Sequence, residues 1–269
     1  MKGFLLLSVA AGLVAASAAA GGSASAVRHA PRIKGATNST STNWSGYAVT
    51  GATFTDVKGT WVQPTANCSS TTASPTNGKG NGNGHGNGHG GGGGGQSQSS
   101  YSSFWVGLDG YSSNTVEQTG TDADCNGTTP VYYGWYEFYP AFPVNFANPV
   151  SPGDVINAEV SVAGGTVTIT LQDATKGWTQ HATQSSSGYA LSSAEWIAEA
   201  PSSGKVLPLA NFGTVNFSNA SAVGGGKSGS ISDFTSDPLT MVTTPGVTKA
   251  APSGLSSRAS AFSVTWFHS

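Results

Sequence analysis

Charge is the scarcest resource in this chain. Its 269 residues hold 11 Lys and Arg and 13 Asp and Glu, together 9%, where about 25% is usual for a soluble protein. So few bases exclude a nucleic-acid binder that works through a basic face. Cysteine is almost absent: two residues, Cys68 and Cys125, cannot make a disulfide scaffold. Zinc-ligand spacings of the C-x-x-C or H-E-x-x-H kind are missing, so no metal is expected. Long apolar runs are missing beyond the first 26 residues, which leaves no later segment able to cross a membrane. Convincing apolar repeats at helical spacing are missing too. The 38 Gly and 13 Pro argue against long helices, since these are the two worst helix residues. Histidine outside the N-terminal tail and one Gly-rich tract is limited to His181 and His268. No G-x-S-x-G elbow accompanies them to support a serine hydrolase. Gly226-Lys227-Ser228 imitates the end of a phosphate-binding loop, but the first Gly of that pattern would fall on Ser221.

What is present begins with an address. Residues 1–26 read as a secretory signal: Lys2, then an apolar and small-residue run, then Ala24-Ser25-Ala26 as the cleavage pattern. The mature chain is therefore expected outside the cell, free of the membrane. Export permits a disulfide between Cys68 and Cys125. Scarce charge also suits an acidic exterior. Acid unfolds proteins by protonating carboxylates that the fold stabilises and by repulsion among bases, and this chain offers little of either.

Residues 27–41 are polar and carry Arg28, His29, Arg32 and Lys34 close together. They read either as a disordered tail or as a short basic pro-segment that covers an acidic site. From Asn43 onward the pattern is β. Tyr47–Val49, Thr60–Val62, Phe104–Val106, Val131–Tyr139, Ala194–Glu199, Val215–Phe217 and Ala261–Phe267 are aromatic or β-branched runs. Val155–Val162 and Thr166–Leu171 alternate with period two around Gly164-Gly165, which predicts a hairpin. Many short strands joined by Gly, Ser, Asn and Pro turns predict an all-β chain of two antiparallel sheets packed as a sandwich. Residues 77–95 are so rich in Gly that they read as a flexible insertion between strands. His85 and His89 lie within it, but without a helix the i, i+4 spacing puts no pair of imidazoles on one face.

The carboxyl groups carry most of the chemical information. Seven of the 13 acids fall in two windows, Asp109, Glu117, Asp122, Asp124 and Glu137 in one and Glu195 and Glu199 in the other. Residues 101–142 also hold 11 of the 26 aromatics. Acids among rings with few bases fit a polymer-binding groove that works by acid–base chemistry. They equally fit core rings beside turn acids, and composition leaves both open. Glu195, Ile197 and Glu199 share one face of a strand. Four residues of strand span about 13–14 Å, beyond the roughly 5–9.5 Å of a glycosidase pair.

Five motifs occur in order: Asn43-Trp44-Ser45-Gly46; Trp105-Val106-Gly107-Leu108-Asp109-Gly110; Glu117-Gln118-Thr119-Gly120 with Asp122; Trp135-Tyr136-Glu137-Phe138-Tyr139-Pro140; and Ala194-Glu195-Trp196-Ile197-Ala198-Glu199. Together they resemble the glutamic peptidases, or eqolisins, from about residue 43 to the C-terminus. The resemblance implies a concanavalin-like jelly roll with a cleft on one curved sheet. It implies a secreted, monomeric endopeptidase, acid-active, insensitive to pepstatin, without cofactor, acting on protein or peptide. By the same resemblance Gln118 and Glu199 are the catalytic pair, and Trp44, Trp105, Asp109, Asp122, Trp135, Tyr136 and Glu137 bind substrate or support the pair. Departures are visible. Thr121 precedes Asp122 where many relatives carry an aromatic, Ala200-Pro201 replaces acids after Glu199, and the 77–95 insertion is foreign to the pattern. A carbohydrate-binding sandwich and an inactive family member are the rival readings.

Overall fold

The structure is a computed structural model and describes residues 27–37, 39–68 and 98–269. The signal segment expected over 1–26 and the Gly-rich insertion at 77–95 lie outside the described residues. Among the described residues sixteen strands follow one another: β1 (Thr40–Ser41), β2 (Trp44–Thr50), β3 (Phe54–Val62), β4 (Ser103–Leu108), β5 (Val116–Asn126), β6 (Thr129–Tyr139), β7 (Val144–Pro149) and β8 (Val155–Ala163). Then come β9 (Thr166–Asp173), β10 (Trp178–Ser185), β11 (Ala194–Glu199), β12 (Thr214–Gly224), β13 (Lys227–Gly229), β14 (Thr235–Val242), β15 (Thr248–Pro252) and β16 (Phe262–Trp266).

They form two layers of a β-sandwich, as the alternating pattern predicts. The layers are not separate sheets. One hydrogen-bonded path runs β10-β9-β8-β3-β12-β16-β15-β14-β2-β11-β4-β5-β6-β7. It turns from one layer to the other at β14, which pairs with β15 on one side and β2 on the other. The pairings along the path are antiparallel, and the short β1 adds to β14 in parallel. The predicted hairpin is β8–β9, with Ala163 opposite Thr166. Gly164 and Gly165 turn it at φ 56° and 78°, the left-handed geometry of a two-residue loop whose twist matches its strands.

The space between the layers is filled by Val57, Trp61, Phe104, Val106, Ile156, Ile169, Trp196 and Phe217, all buried. Several buried polar atoms there are paired, as an interior of low dielectric favours. Trp61 Nε1 donates to Thr121 Oγ1 at 2.9 Å, and Gln63 Nε2 donates to the Asp122 carbonyl at 2.9 Å. Trp196 Nε1 donates to the Lys58 carbonyl at 2.6 Å.

Cys68 and Cys125 are joined, with Cα atoms 5.4 Å apart and 57 residues of separation. The bond ties the end of the β3 segment to β5, on which the site depends. Replacing both cysteines with Ala should lower the unfolding free energy by about 2–5 kcal/mol, read from urea titrations of the two proteins under oxidising conditions.

Candidate active site

The middle of one layer is covered on both faces. Along β2-β11-β4-β5-β6 three rows of residues point away from the inter-layer core. The first row is Trp44, Glu199, Ser103, Asp122, Tyr133. The second is Gly46, Ile197, Trp105, Gly120, Trp135. The third is Ala48, Glu195, Gly107, Gln118, Glu137. Trp196 and Ala198 take the opposite face, toward the inter-layer core. Glu195, Ile197 and Glu199 therefore share one face, as the strand period requires, and all three are buried.

Two glycines open the floor between Gln118 and Glu199. A Cβ on Gly120 would stand 2.1 Å from the Phe104 carbonyl oxygen and 2.6 Å from Trp105 Cβ. One on Gly107 would meet Trp105 Cζ3 at 3.0 Å and Gln118 Cβ at 3.1 Å. With hydrogens there instead, the Trp105 ring lies across the floor. Its Nε1 donates to Glu199 Oε2 at 2.8 Å.

Residues 28–34 run across this face, and the two long polar side chains meet on them. Gln118 Nε2 donates to the His29 carbonyl at 2.5 Å. The next atom but one, the Ala30 amide nitrogen, donates to Glu199 Oε1 at 3.1 Å. Gln118 and Glu199 thus grip the two ends of one peptide group. Glu137 Oε2 accepts the His29 amide at 3.0 Å and the Gln118 amide at 3.3 Å. The His29 ring stacks on Trp135, centroids 3.6 Å apart and planes 5° off parallel. Trp44 Nε1 donates to the Ala30 carbonyl at 3.0 Å.

The remaining candidates divide. Asp122 accepts from Trp135 Nε1 at 2.6 Å and from the Tyr133 hydroxyl at 2.8 Å, so it holds the ring on which His29 stacks. The Tyr133 hydroxyl also donates to Asp124 Oδ2 at 2.9 Å. Asp109 lies away from the pair. It has φ 69°, and its carboxylate accepts the amides of Leu191 and Ser192 at 2.7 and 2.8 Å, clamping the loop before β11. Tyr136 is on the wrong face for the cleft, because Trp135 and Glu137 point into it. Its ring packs against Phe138 and Phe146 at 5.9 and 5.3 Å. The structure adds His29, Ala30, Asn43 and Tyr133 to the sequence-derived set. Asn43 Nδ2 donates to the carbonyls of Ala30 and Pro31 at 3.3 and 3.2 Å. Among the described residues no group of three or more His, Cys, Asp or Glu is placed to hold a metal ion.

Burial dominates the electrostatics. It pushes Glu137 up to about 8, opposed mainly by the His29 amide. It pushes Asp122 up to about 7 against hydrogen bonds from Ser103, Tyr133 and Trp135. Glu199 rises well above the usual carboxyl range through burial and then through the neighbouring Glu137 charge, with Trp105 Nε1 and the Ala30 amide opposing. Asp124 rises through burial and Asp122. Glu195 rises mainly through burial, and Glu117 reaches about 9 through burial and the Asp109 charge. His29 has the opposite sign: burial lowers it to about 3.

These features define a class: a β-sandwich whose one layer presents an amide and a carboxyl to an extended peptide. A family model described as the Peptidase A4 family matches residues 42–257. The chain belongs to that family, the glutamic peptidases or eqolisins. It is 32% identical over 214 residues to Aspergillopepsin-2 of Aspergillus niger, covering 76% of this chain and 72% of the relative. Its fold is similar to that of Scytalido-glutamic peptidase solved with a peptide-based transition-state analogue. That match has TM-score 0.61 and 24% identity, over 84% of this chain and 98% of the other. It is also similar to SCP-B, an eqolisin solved with the tripeptide Ala-Ile-His, at TM-score 0.60 and 22% identity, again over 84% and 98%.

The six raised carboxyls set the pH dependence of stability. Each stays protonated in the fold while its unfolded counterpart ionises above about 3.8 for Asp or 4.5 for Glu. Their contribution is complete below those values and is lost as pH rises, through about 7 for Asp122, 8 for Glu137 and 9 for Glu117. His29 acts oppositely, costing stability as pH falls from 6.5 towards 3. Asp56, raised to about 7, and Asp173 act with the six, while Lys249, lowered to about 8, and the lowered Asp154 and Asp233 act with His29. The raised carboxyls are the larger set, so the melting temperature should be higher in mildly acidic than in neutral buffer and fall further toward pH 9. A scanning-calorimetry series over that range checks it.

Gly120→Ala offers a test of the floor. Its methyl would strike backbone, which cannot rotate aside. The cost should lie at the upper end of the about 1–3 kcal/mol typical of overpacking, measured by denaturant unfolding.

Proposed function

We propose that this peptidase is a secreted acid endopeptidase whose catalytic pair is Gln118 and Glu199. The observation that carries the reading is the single peptide group held between them, carbonyl on the amide and nitrogen on the carboxyl. Peptide-like ligands in two structural relatives support a cleft made for extended chain.

Acid-pH hydrolysis excludes neutral histidine as the base, because histidine is protonated there. A glutamate has an ordinary pKa near 4.3; burial under residues 28–34 and the Glu137 charge hold Glu199 above that range, so it serves as base in its ionised form, which water entering the uncovered cleft favours. Glu199 takes a proton from water as the water oxygen bonds to the carbonyl carbon. Charge builds on the carbonyl oxygen, and Gln118 Nε2–H donates to it. An amide suits this role because it donates without titrating. Glu199 then passes the proton to the departing nitrogen. Trp105 Nε1, on Glu199 Oε2, fixes the carboxyl so that Oε1 faces the reacting group. Glu137 accepts from the Gln118 amide and holds its NH₂ toward the oxyanion.

Secretion is supported by the signal-like first 26 residues and by the Cys68–Cys125 bond, since disulfides persist in oxidising surroundings. Pepstatin insensitivity follows if no aspartate pair does the chemistry, and Asp122 and Asp124 are both engaged by Tyr133.

Digestion of a denatured protein in acidic buffer is the direct test. Activity should survive pepstatin. Gln118→Ala should lose about 10²–10³-fold in kcat, the usual cost of one oxyanion donor. Glu199→Gln should lose activity with its melting temperature retained in acidic buffer; full activity in that variant would remove Glu199 as the base.

A further inference from the structure

The cleft also carries a cation site that the hydrolytic pair does not use. We infer that it selects substrates with a basic residue, arginine above all, at the second position before the bond that is cut, held on the Phe142 ring and the Pro140 carbonyl. The inference rests on the Gln118–Glu199 reading, because that pair decides which bond is cut and so which residue stands second before it.

Residues 28–31 lie as an extended chain with one peptide group between Gln118 and Glu199. A substrate bound in the same register puts its second residue before the reacting bond where Arg28 lies. Two contacts fix the backbone there: the Arg28 amide donates to the Ser202 carbonyl, and the Ser202 amide donates to the Arg28 carbonyl, both at 2.8 Å. They use main-chain atoms alone, so they hold any residue and select none. Selection falls to the side chain, which reaches the turn between β6 and β7. There Arg28 Nη1 donates to the Pro140 carbonyl at 3.0 Å, and the guanidinium carbon stands 3.8 Å from the Phe142 ring centroid.

Phe142 is placed for a ligand rather than for the fold. Its ring belongs to neither apolar cluster of the interior, and 54% of its surface stays open with Arg28 lying on it. A leucine in place of arginine would cover the ring but leave the Pro140 carbonyl facing an apolar group. Arginine satisfies both, because its flat guanidinium stacks on a ring face and keeps N–H groups at its rim for an acceptor. Lysine reaches the same ring as a point charge without the planar contact, so it ranks second.

The choice of partners fits an acid enzyme. A carboxylate that recognises a base gives up its charge as pH falls. Among the described residues no Asp or Glu forms an ion pair with Arg28. Glu137 feels the Arg28 charge, but burial pushes this carboxyl up to about 8, and burial lowers the neighbouring His29 to about 3. The ring face and the backbone carbonyl do not titrate, so the preference for a cation persists where a carboxylate would have lost its own.

The test uses the full-length enzyme in acidic buffer and neutral dodecapeptides that differ only in one arginine, moved one place at a time. Mass spectrometry locates each cut. The main cut should move with the arginine, leaving one residue between it and the broken bond. Replacing that arginine with citrulline, its uncharged isostere, should lower kcat/KM about 2–5-fold, the worth of an exposed cation on a ring. The ratio should be equal at about pH 3 and about pH 5, on either side of the ordinary glutamate pKa. In Phe142→Leu, shown to be folded by near-ultraviolet circular dichroism, the preference for arginine over citrulline should vanish; Phe142→Tyr, which keeps a ring, should retain it. Cuts that ignore the arginine, equal rates on arginine and citrulline in wild type, or a preference kept in Phe142→Leu overturn the inference; digestion of denatured protein by the same preparation then leaves the Gln–Glu reading standing. A ratio that grows with pH assigns the preference to a carboxylate and overturns the ring. A folded wild type that cuts neither peptides nor denatured protein shows that the Gln–Glu reading has failed, and the cation site with it.

Discussion

Everything at this site follows from burying carboxyl groups on a sheet that has no solvent on either face. The inter-layer side of β4, β5 and β11 is packed with Phe104, Val106, Ala123 and Trp196. The other side carries Glu195, Glu199, Gln118, Asp122 and Glu137 under a cover that includes residues 28–34. A buried carboxylate is expensive unless paired, and with so few bases in the chain the cheaper answer is to keep the proton. The scarcity of cations near these acids is therefore part of the design of the site: the Arg28 charge lowers Glu137, but burial outweighs it. A lysine beside Glu199 would hold it ionised and bind it in a pair, removing it from proton traffic. Indole and amide N–H groups replace cations here, and they orient a carboxyl without fixing its charge.

Aromatic rings supply the second half of that arrangement. Trp105 and Trp135 each use the ring as floor and the Nε1–H as a tether to an acid, Glu199 and Asp122 respectively. Trp44 packs edge-on against Trp105, with centroids 4.9 Å apart, and points its own Nε1–H at the docked segment. One residue type thus gives apolar area, a rigid plane and a single directed donor. Glycines at 107 and 120 are the counterpart, since rings of that size can lie flat only where the neighbouring strands have no side chains.

The sequence revealed these parts unevenly. The β8–β9 hairpin was legible because one of its faces is buried and the other wet, which produces strict alternation. Strand β5 was not legible from pattern, although every residue in it but Asn126 is buried. Its sequence, VEQTGTDADCN, is full of residues that avoid strands, and its place shows only in the pairing with β4 and β6. Local propensity and fold disagree there because the strand carries the chemistry. Strand β10 escaped for the opposite reason: mostly exposed, it needs no apolar pattern. Pro238 disguised β14, which turns one layer into the other. Gln118 and Glu199 were readable only through the family resemblance, since they lie two strands and four residues apart in register. Basic residues at 28–34 suggested a covering segment, but charge played the smaller part in its docking. Backbone groups and a neutral histidine make most of the contacts.

The turn of the path at β14 has one more consequence. Two separate sheets would present four edge strands, whereas among the described residues the single folded path ends in two, β10 and β7, with only the short β1 and β13 added beside it. Those two meet across the open side, where Gln180 Nε2 donates to Asn148 Oδ1 at 2.8 Å and Trp178 Nε1 donates to the Pro149 carbonyl at 3.2 Å. An enzyme that takes in unfolded, strand-forming polypeptide lives among chains eager to add themselves to any bare edge. Here the exposed rims are few, short and polar, so such chains find a ladder to join mainly inside the cleft.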